Sequence, residues 1–304
     1  MSDTDFHGVR LSHPEKVLYP EQGITKRALV EYYDAVADWM LTQVVDRPIS
    51  LVRCPAGRAK KCFFQRHAGS GVPPQLSEVS VEGFGEDQAF LFIKNVSGLM
   101  ALVQMGVLEV HPWGARVDNP MKPDRVIFDL DPGAGLSFAD VVAAAKDLRG
   151  FLKQLDLVSF VKTTGGKGLH VVVPITRRYS WPEVKGFAKR VGELMTERSP
   201  ECYLTRISIA ERRGKVFIDY LRNDPTSTAV GPYSTRAREG APVATPLAWD
   251  ELTPKLDPKA FDTRTVPKRL SKLKSDPWAG IARLTQKLPK LPDLAHASAP
   301  KRAR

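Results

Sequence analysis

Apolar positions along this chain follow two periods, and the switches between them mark out its elements. From Lys26 to Val44, Leu29, Tyr32, Tyr33, Val36, Trp39 and Met40 recur at helical spacing behind Thr25, which suits an N-cap. That pattern predicts one amphipathic helix. Ile49 to Arg53 reads as a short strand, and Ala89 to Ile93 as an apolar one. Asn95 to Gln104 reads as a helix with Leu99, Leu102 and Val103 inward, and Val107 to Val110 as a strand delivering His111. Val126 to Asp131 alternates strictly: Val126, Phe128 and Leu130 point one way, Ile127, Asp129 and Asp131 the other. This predicts a half-buried strand that Pro132 and Gly133 end. Ser137 with Asp140, and Ser180 with Glu183, form capping boxes ahead of two further helices. Ser159 to Lys162 and His170 to Pro174 are strands on either side of a glycine-rich turn. Tyr203 to Ile209 and Lys215 to Leu221 are strands joined by the turn Glu211 to Gly214. Beyond Pro225 the pattern thins; Trp249 to Leu252 predicts a short helix. From about Pro289 the composition becomes Pro, Ala, Lys and Arg, a disordered tail or linker stub.

Composition narrows the partners. The chain has 304 residues, 42% hydrophobic, enough for one large core or two smaller ones. Forty-five Lys and Arg against 34 Asp and Glu leave a net charge of +11. That excess favours a polyanion, nucleic acid before membrane, since no basic amphipathic helix dominates. No run approaches transmembrane length, and the N-terminus lacks an apolar signal region. Cys54, Cys62 and Cys202 are odd in number with no CxxC, which fits reduced thiols in a cytosol. Cys54, Cys62 and His67 match no standard zinc spacing.

The chemistry concentrates in three stretches. Asp129 and Asp131, two residues apart on a strand, share one face. At roughly 5 Å and an effective dielectric of about 20 their repulsion costs about 3 kcal/mol. A raised pKa, a basic partner or a divalent cation must offset it. A solvated strand end bearing two aspartates is the plain alternative. Thr164 to His170, TGGKGLH, carries three glycines that let backbone N–H groups approach a phosphate, with Lys167 and His170 adding charge and a donor. It is not a P-loop, because Gly168 follows the Gly-Lys pair and no helix comes next. By itself it also reads as a hairpin turn. Phe217 to Asn223 places Asp219 in a strand with Arg222 three residues on, and Arg236 lies in the following loop. Three carboxylates suit hard cations, and two ions about 3.5–4 Å apart stabilise both oxygens of a nucleotidyl transfer. Elsewhere, Lys16 and Lys26 flank a predicted helix start, which is either a phosphate site or two solvated lysines. Phe63 and Phe64 lie among Arg58, Lys60, Lys61 and Arg66, where the rings either stack on bases or divide between core and surface.

Taken in order, HPWGARVDNP, DRVIFDLDPG, TTGGKGLHVVVP, VFIDYLRND and PYSTRAR resemble the polymerase domain of bacterial ATP-dependent DNA ligase D, within the archaeo-eukaryotic primase superfamily. The resemblance runs from about Ser12 to Trp278. It implies an α/β fold of primase-polymerase type: a mixed sheet with an RRM-like catalytic half flanked by helices. It places a catalytic domain at 1–278 and a tail or linker at 279–304. It implies template-dependent addition of nucleotides, ribonucleotides preferred, at gaps and ends of DNA breaks in non-homologous end joining. Mn2+ or Mg2+, two ions, would serve as cofactors. DNA bearing a 5′-phosphate, NTP or dNTP, Ku and a DNA ligase would be partners, in the cytoplasm at the bacterial nucleoid. Carried over by position, Asp129, Asp131 and Asp219 are catalytic metal ligands. His111, Thr164, Lys167, His170, Arg222 and Arg236 bind nucleotide, with the Thr164 hydroxyl reaching a phosphate. Lys16, Lys26, Phe63, Phe64 and Arg66 bind DNA, and Glu82 to Val96 resembles a loop that helps two ends meet. His13 departs from the pattern expected around the 5′-phosphate. A non-catalytic DNA-end-binding module recruiting a ligase, and a metal-dependent nuclease, are the alternatives. The chain itself has no KxDG-type ligase lysine motif.

Overall fold

The computed structural model of the chain describes residues 5–291, apart from 86, 87, 207 and 209. Two short ribbons open it: β1 (Asp5–Phe6) with β2 (Val9–Arg10), and β3 (Val17–Tyr19) with β4 (Ile24–Thr25). Helices α1 (Lys26–Ala35) and α2 (Ala37–Val44) follow. The sequence predicted a single helix here; it is broken at Val36, whose φ of −109° and ψ of 5° leave the helical region. Next come β5 (Ile49–Arg53), β6 (Phe63–Gln65), β7 (Ser77–Val79), β8 (Phe90–Phe92), α3 (Val96–Gln104) and β9 (Val107–Pro112). Strand β5 pairs antiparallel with β6, β8 and β9, and α3 packs against α1 and β9.

The second sheet contains the aspartates. In chain order it is β10 (Arg125–Pro132), α4 (Phe138–Gln154), β11 (Phe160–Thr163), β12 (Leu169–Pro174), α5 (Trp181–Arg198), β13 (Tyr203–Leu204), β14 (Val216–Asp219) and β15 (Pro246–Leu247). In space the strands run β13-β14-β10-β12-β11-β15. The path β10-α4-β11-β12-α5-β14 is the βαββαβ arrangement of ferredoxin-like and RRM-like folds. All pairs are antiparallel except β13 with β14, so the sheet is mixed. That parallel pairing replaces the hairpin expected around Glu211 to Gly214. The predicted strand stops at Leu204, and 207 and 209 lie outside the described residues. Both predicted capping boxes form: Asp140 accepts the Ser137 N–H at 2.7 Å and Glu183 the Ser180 N–H at 2.6 Å.

Helices α4 and α5 cover one face of this sheet. Val126, Phe128 and Leu130 of β10 join Val171, Val173, Val142, Leu148, Val191 and Leu194 in one buried core. The strand is not half-buried as its alternation suggested. On the opposite face Ile127 and Val172 are covered by Trp278 and Ile281, and Asn223 hydrogen-bonds both the N–H and the C=O of Ile127 at 2.8 Å. Packing continues past Trp278: Gln286 bonds Val158 and Pro174, and the Leu288 N–H donates to Tyr179. The end of the expected tail, 292–304, is outside the described residues. Trp249 lies in a turn rather than a short helix. The final segment is α6 (Thr265–Leu270) and the stretch leading to 291.

A correction concerns the cysteines. Cys54 and Cys62 form a disulfide, with Cα atoms 4.3 Å apart. The β5–β6 register pairs Arg53 with Phe63, so the next pair outward is Cys54 with Cys62. Their spacing of eight residues carried no sign of this, because it follows from strand register.

Candidate active site

Strand register assembles a row of charged residues across the sheet. Lys162 of β11 lies opposite His170 of β12, His170 opposite Asp129 of β10, and Asp129 opposite Asp219 of β14. Directly opposed residues on antiparallel strands share a face, so these four form one line, with Asp131 two residues further along β10. This is the face left uncovered by α4 and α5. Asp129 is only 7% exposed. Arg222, in the turn after β14, reaches Asp129 Oδ2 at 3.2 Å through Nε and Asp219 Oδ2 at 3.1 Å through Nη2. Asp129 Oδ1 lies 3.4 Å from His170 Nε2 yet has no aligned hydrogen bond.

These contacts separate the carboxyls electrostatically. Burial alone would raise Asp129, but His170, Arg222 and Lys162 outweigh it and hold the group at about 2. Asp131 is pushed up to about 6 by burial and by Asp129 and Asp219. Asp219 is also raised, chiefly by burial. Burial and Lys162 bring His170 down to about 4, so it is a neutral imidazole at neutral pH.

The turn between β11 and β12 forms the rim. Thr164 closes it: its N–H and its hydroxyl both donate to the Gly168 carbonyl, at 3.2 and 3.1 Å. The hydroxyl expected to reach a phosphate is thus engaged within the turn. Gly165 has φ +65°, and a Cβ there would come within 2.6 Å of the Arg236 side chain. A Cβ on Gly168 would lie 2.6 Å from the Leu130 carbonyl. Both positions therefore require glycine. Lys167 stands exposed at the tip.

The loop 231–245 closes the other side. Its Gly231 N–H donates to Val110 of β9, and Thr245 accepts from Thr163 of β11. It thereby bridges the two sheets. Arg236 donates through Nη1 to the Thr164 carbonyl at 2.6 Å and pairs with Glu109 at 3.0 Å. Glu109 also bonds His111 Nε2 at 2.8 Å and accepts the Ala237 N–H at 2.8 Å.

A cavity of about 370 Å3 results, lined by His111, Asp129, Asp131, Thr164, Lys167, His170, Arg222 and Arg236, together with Arg212 and Arg238. Asp219 lies beside it as the cross-strand neighbour of Asp129. A larger groove of about 770 Å3 beside Trp249 contains none of the candidate site residues. Sequence reasoning missed Glu109 and Lys162. Glu109 is two residues before His111, so period-two alternation put both on one face; Lys162 is a lysine within an apolar strand. Either was a usable signal.

Among the described residues, no three Cys, His, Asp or Glu side chains converge as a preformed cation cage. The expected three-carboxylate site differs in that Arg222 bridges Asp129 and Asp219. The donor set nonetheless fits a hard cation: all three are carboxylates, Asp129 Oδ1 is buried without a hydrogen bond, and Asp131 is raised by burial and by its acidic neighbours.

The DNA-binding candidates are placed apart from this row. Phe63 and Phe64 are 42% and 44% exposed, each beneath a guanidinium: Arg53 over Phe63 at 5.4 Å and Arg66 over Phe64 at 5.6 Å. The Phe64 ring meets His111 edge-on at 5.8 Å, which links the β5–β6 hairpin to the cavity. Lys16 borders a shallow hollow with His13, while Lys26 is buried and donates to the Ser12 carbonyl at 2.8 Å and Gln104 at 3.3 Å. The first N–H groups of α1 are taken: Lys26 N by Lys16 O, Arg27 N by Pro14 O and Ala28 N by Thr25 Oγ1. The expectation of free helix N–H groups for a phosphate is therefore corrected. Within the Glu82–Val96 loop, 86 and 87 lie outside the described residues.

Known proteins share the sequence and the fold of this chain. The LigD primase-polymerase domain profile matches residues 25–278. The multifunctional non-homologous end joining protein LigD of Pseudomonas aeruginosa is 37% identical over 92% of this chain. Its counterpart in Mycolicibacterium smegmatis is 33% identical over 84%. The chain spans about a third of the length of these curated relatives, 34% of each. The solved polymerase domain of Mycobacterium tuberculosis ligase D, in complex with DNA, superposes with a TM-score of 0.85 at 32% identity, covering 91% of this chain and 99% of that one. With the βαββαβ sheet and these matches in agreement, the chain belongs to the LigD primase-polymerase domain family.

Proposed function

We propose that the chain adds nucleotides to a DNA primer on a template, at gaps and broken ends handled by non-homologous end joining, and that it accepts ribonucleotides. The observation that carries this is the single cavity in which Asp129 and Asp131 face Lys167, Arg222, Arg236 and Arg238. Carboxylates on one wall and cations on the other suit a nucleoside triphosphate. In the reaction a primer 3′-oxygen attacks the α-phosphorus and pyrophosphate leaves. Lys167, Arg236 and Arg238 are placed to hold the phosphates where charge develops on the leaving group. Glu109 holds Arg236 and His111 in position, and Arg222 orients Asp129. Asp129, Asp131 and Asp219 would hold Mg2+ or Mn2+, which when bound polarises phosphoryl oxygen and lowers the pKa of the attacking hydroxyl. Phe63 and Phe64 are exposed as stacking platforms for template bases. Ku and a ligase activity as partners, and a cytoplasmic address at the nucleoid, follow from the family reading.

The test is primer extension on a gapped duplex with a 5′-phosphate, comparing ribo- and deoxynucleotides in Mg2+ and Mn2+. Template-directed extension that Asp129→Ala or Asp131→Ala abolishes, with DNA binding retained, is the expected result. Shortening of the labelled strand without extension would instead establish a nuclease. Binding without either reaction would establish an end-binding module.

A further inference from the structure

At the other end of the same sheet face is a second charged cavity. Arg125 opens β10 and, by period-two alternation, points to the side of Ile127 and Asp129, about 13 Å along the strand from Asp129. Between the two sites Trp278 and Ile281 cover the sheet. The cavity, about 270 Å3, lies between the end of α2, the start of β10, the end of β12 and residues 281–285.

Its charges do not balance. Asp124 is the single carboxylate for three guanidinium groups: Arg47 grips it with two bonds at 2.8 and 2.5 Å, Arg125 Nε reaches it at 3.2 Å, and Arg116 Nε at 3.6 Å. Arg177, also at the rim, is neutralised separately by Asp118 at 2.7 and 2.8 Å. Two positive charges remain. Arg47 is 1% exposed and its buried Nε has no hydrogen-bond partner. Arg125 is 9% exposed, and of its guanidinium only Nε is bonded. Burial and the neighbouring Arg47 bring Arg125 down to about 10. Uncompensated buried charge is costly, and here it lines a cavity that offers no second carboxylate.

We propose that this cavity binds a dianionic phosphate, either free orthophosphate or the monoester of a nucleotide. Guanidinium forks match phosphate oxygens in pairs. A phosphomonoester carries about −1.5 to −2 at neutral pH, which meets the +2 left over, whereas a carboxylate or a phosphodiester supplies one charge. The cavity is smaller than the roughly 300 Å3 at which pockets begin to take larger molecules, which favours one phosphate group over a triphosphate or a strand.

The test is thermal unfolding of the whole chain in phosphate against chloride at equal ionic strength, in the parent and three variants. Phosphate should raise the midpoint by roughly 4–5 °C at about a hundred-fold excess over its Kd. Arg125→Gln should lose that shift. Arg116→Gln, at a more exposed position, should lose most of it and provides the test if Arg125→Gln does not fold. Arg236→Ala, which alters only the nucleotide cavity, should keep it. A nucleoside 5′-monophosphate in place of orthophosphate distinguishes the two sources: saturation at lower concentration assigns the ester, equal or higher concentration the free ion. A shift no larger than that in chloride, one that persists in both Arg125→Gln and Arg116→Gln, or one lost in Arg236→Ala would overturn the proposal.

Discussion

Glu109 shows how a residue outside the reacting groups governs the site. Burial alone would raise its carboxyl, but His111, Arg236 and the Ala237 N–H outweigh it and hold it at about 2. A depressed carboxylate contributes stability that is fully present above its unfolded pKa and is lost as pH falls toward the folded value. From about 4.3 unfolded to about 2 folded, that is on the order of 3 kcal/mol. Glu109→Gln should therefore lower the stability at neutral pH by about that amount and flatten its decline between pH 4.5 and 2, read by denaturant titration across that range. It should also raise the KM for nucleotide by roughly tenfold with a smaller change in kcat, since Arg236 and His111 lose their common anchor; an unchanged KM would remove Glu109 from the site. Lys162 is the complementary case. Burial and Arg236 push its amine well below the usual lysine range, and Nζ reaches only the Thr163 carbonyl at 3.3 Å. Lys162→Met should leave stability within about 1.5 kcal/mol, because an apolar chain of similar shape replaces a desolvated amine. Extension should fall nonetheless, since Lys162 acts on His170 and Asp129; full activity in this variant would show that the row needs only three members.

At the scale of elements, the β5–β6 hairpin and the α1 entry make distinct predictions. Antiparallel pairing of Val52 with Phe64 and Arg53 with Phe63, closed by the Cys54–Cys62 disulfide, presents both rings to solvent. Phe63→Ala and Phe64→Ala should change the unfolding midpoint little and weaken binding to a gapped duplex by about 1–3 kcal/mol for each stacked base lost. Loss of folding in either variant would mean the rings are structural. The α1 entry separates two lysines that looked equivalent. Lys26 has its amine buried against Ser12 and Gln104, with its pKa lowered by burial and by Lys16. Lys16 has an open hollow beside it. Lys16→Ala should abolish the preference for a 5′-phosphorylated gap without changing stability. Lys26→Ala should cost stability as well, because the buried lysine side chain and its bonds to Ser12 and Gln104 are lost together. Competition binding with phosphorylated and unphosphorylated gaps, at one salt concentration, checks the first; denaturant unfolding checks the second.

For the whole molecule the relevant quantity is the net charge of +11. Affinity for duplex DNA should fall linearly in log–log plots against salt, with a slope reporting the number of phosphates neutralised. The Lys16→Ala slope should be shallower by about one. The bridge made by residues 231–245 joins the two sheets, so the aspartate-lined cavity depends on their joint folding; neither sheet alone contains both His111 and Asp129.

Local pattern determined a large share of this protein. Period-two alternation placed Asp129 and Asp131 on one face, the two capping boxes located α4 and α5, and three glycines marked the turn that rims the cavity. All depend on residues within a few positions of one another, where backbone geometry alone decides. The run of motifs along the chain also indicated the family. What the tertiary structure decided involves partners far apart in sequence. Asp219 lies opposite Asp129 rather than one residue out of step, Lys162 behind His170, Glu109 against Arg236, and Arg47 against Asp124. The parallel β13–β14 pair and the Cys54–Cys62 bond have the same origin. Strand register and loop docking are set by how faces pack across the whole chain, and no local period contains that information.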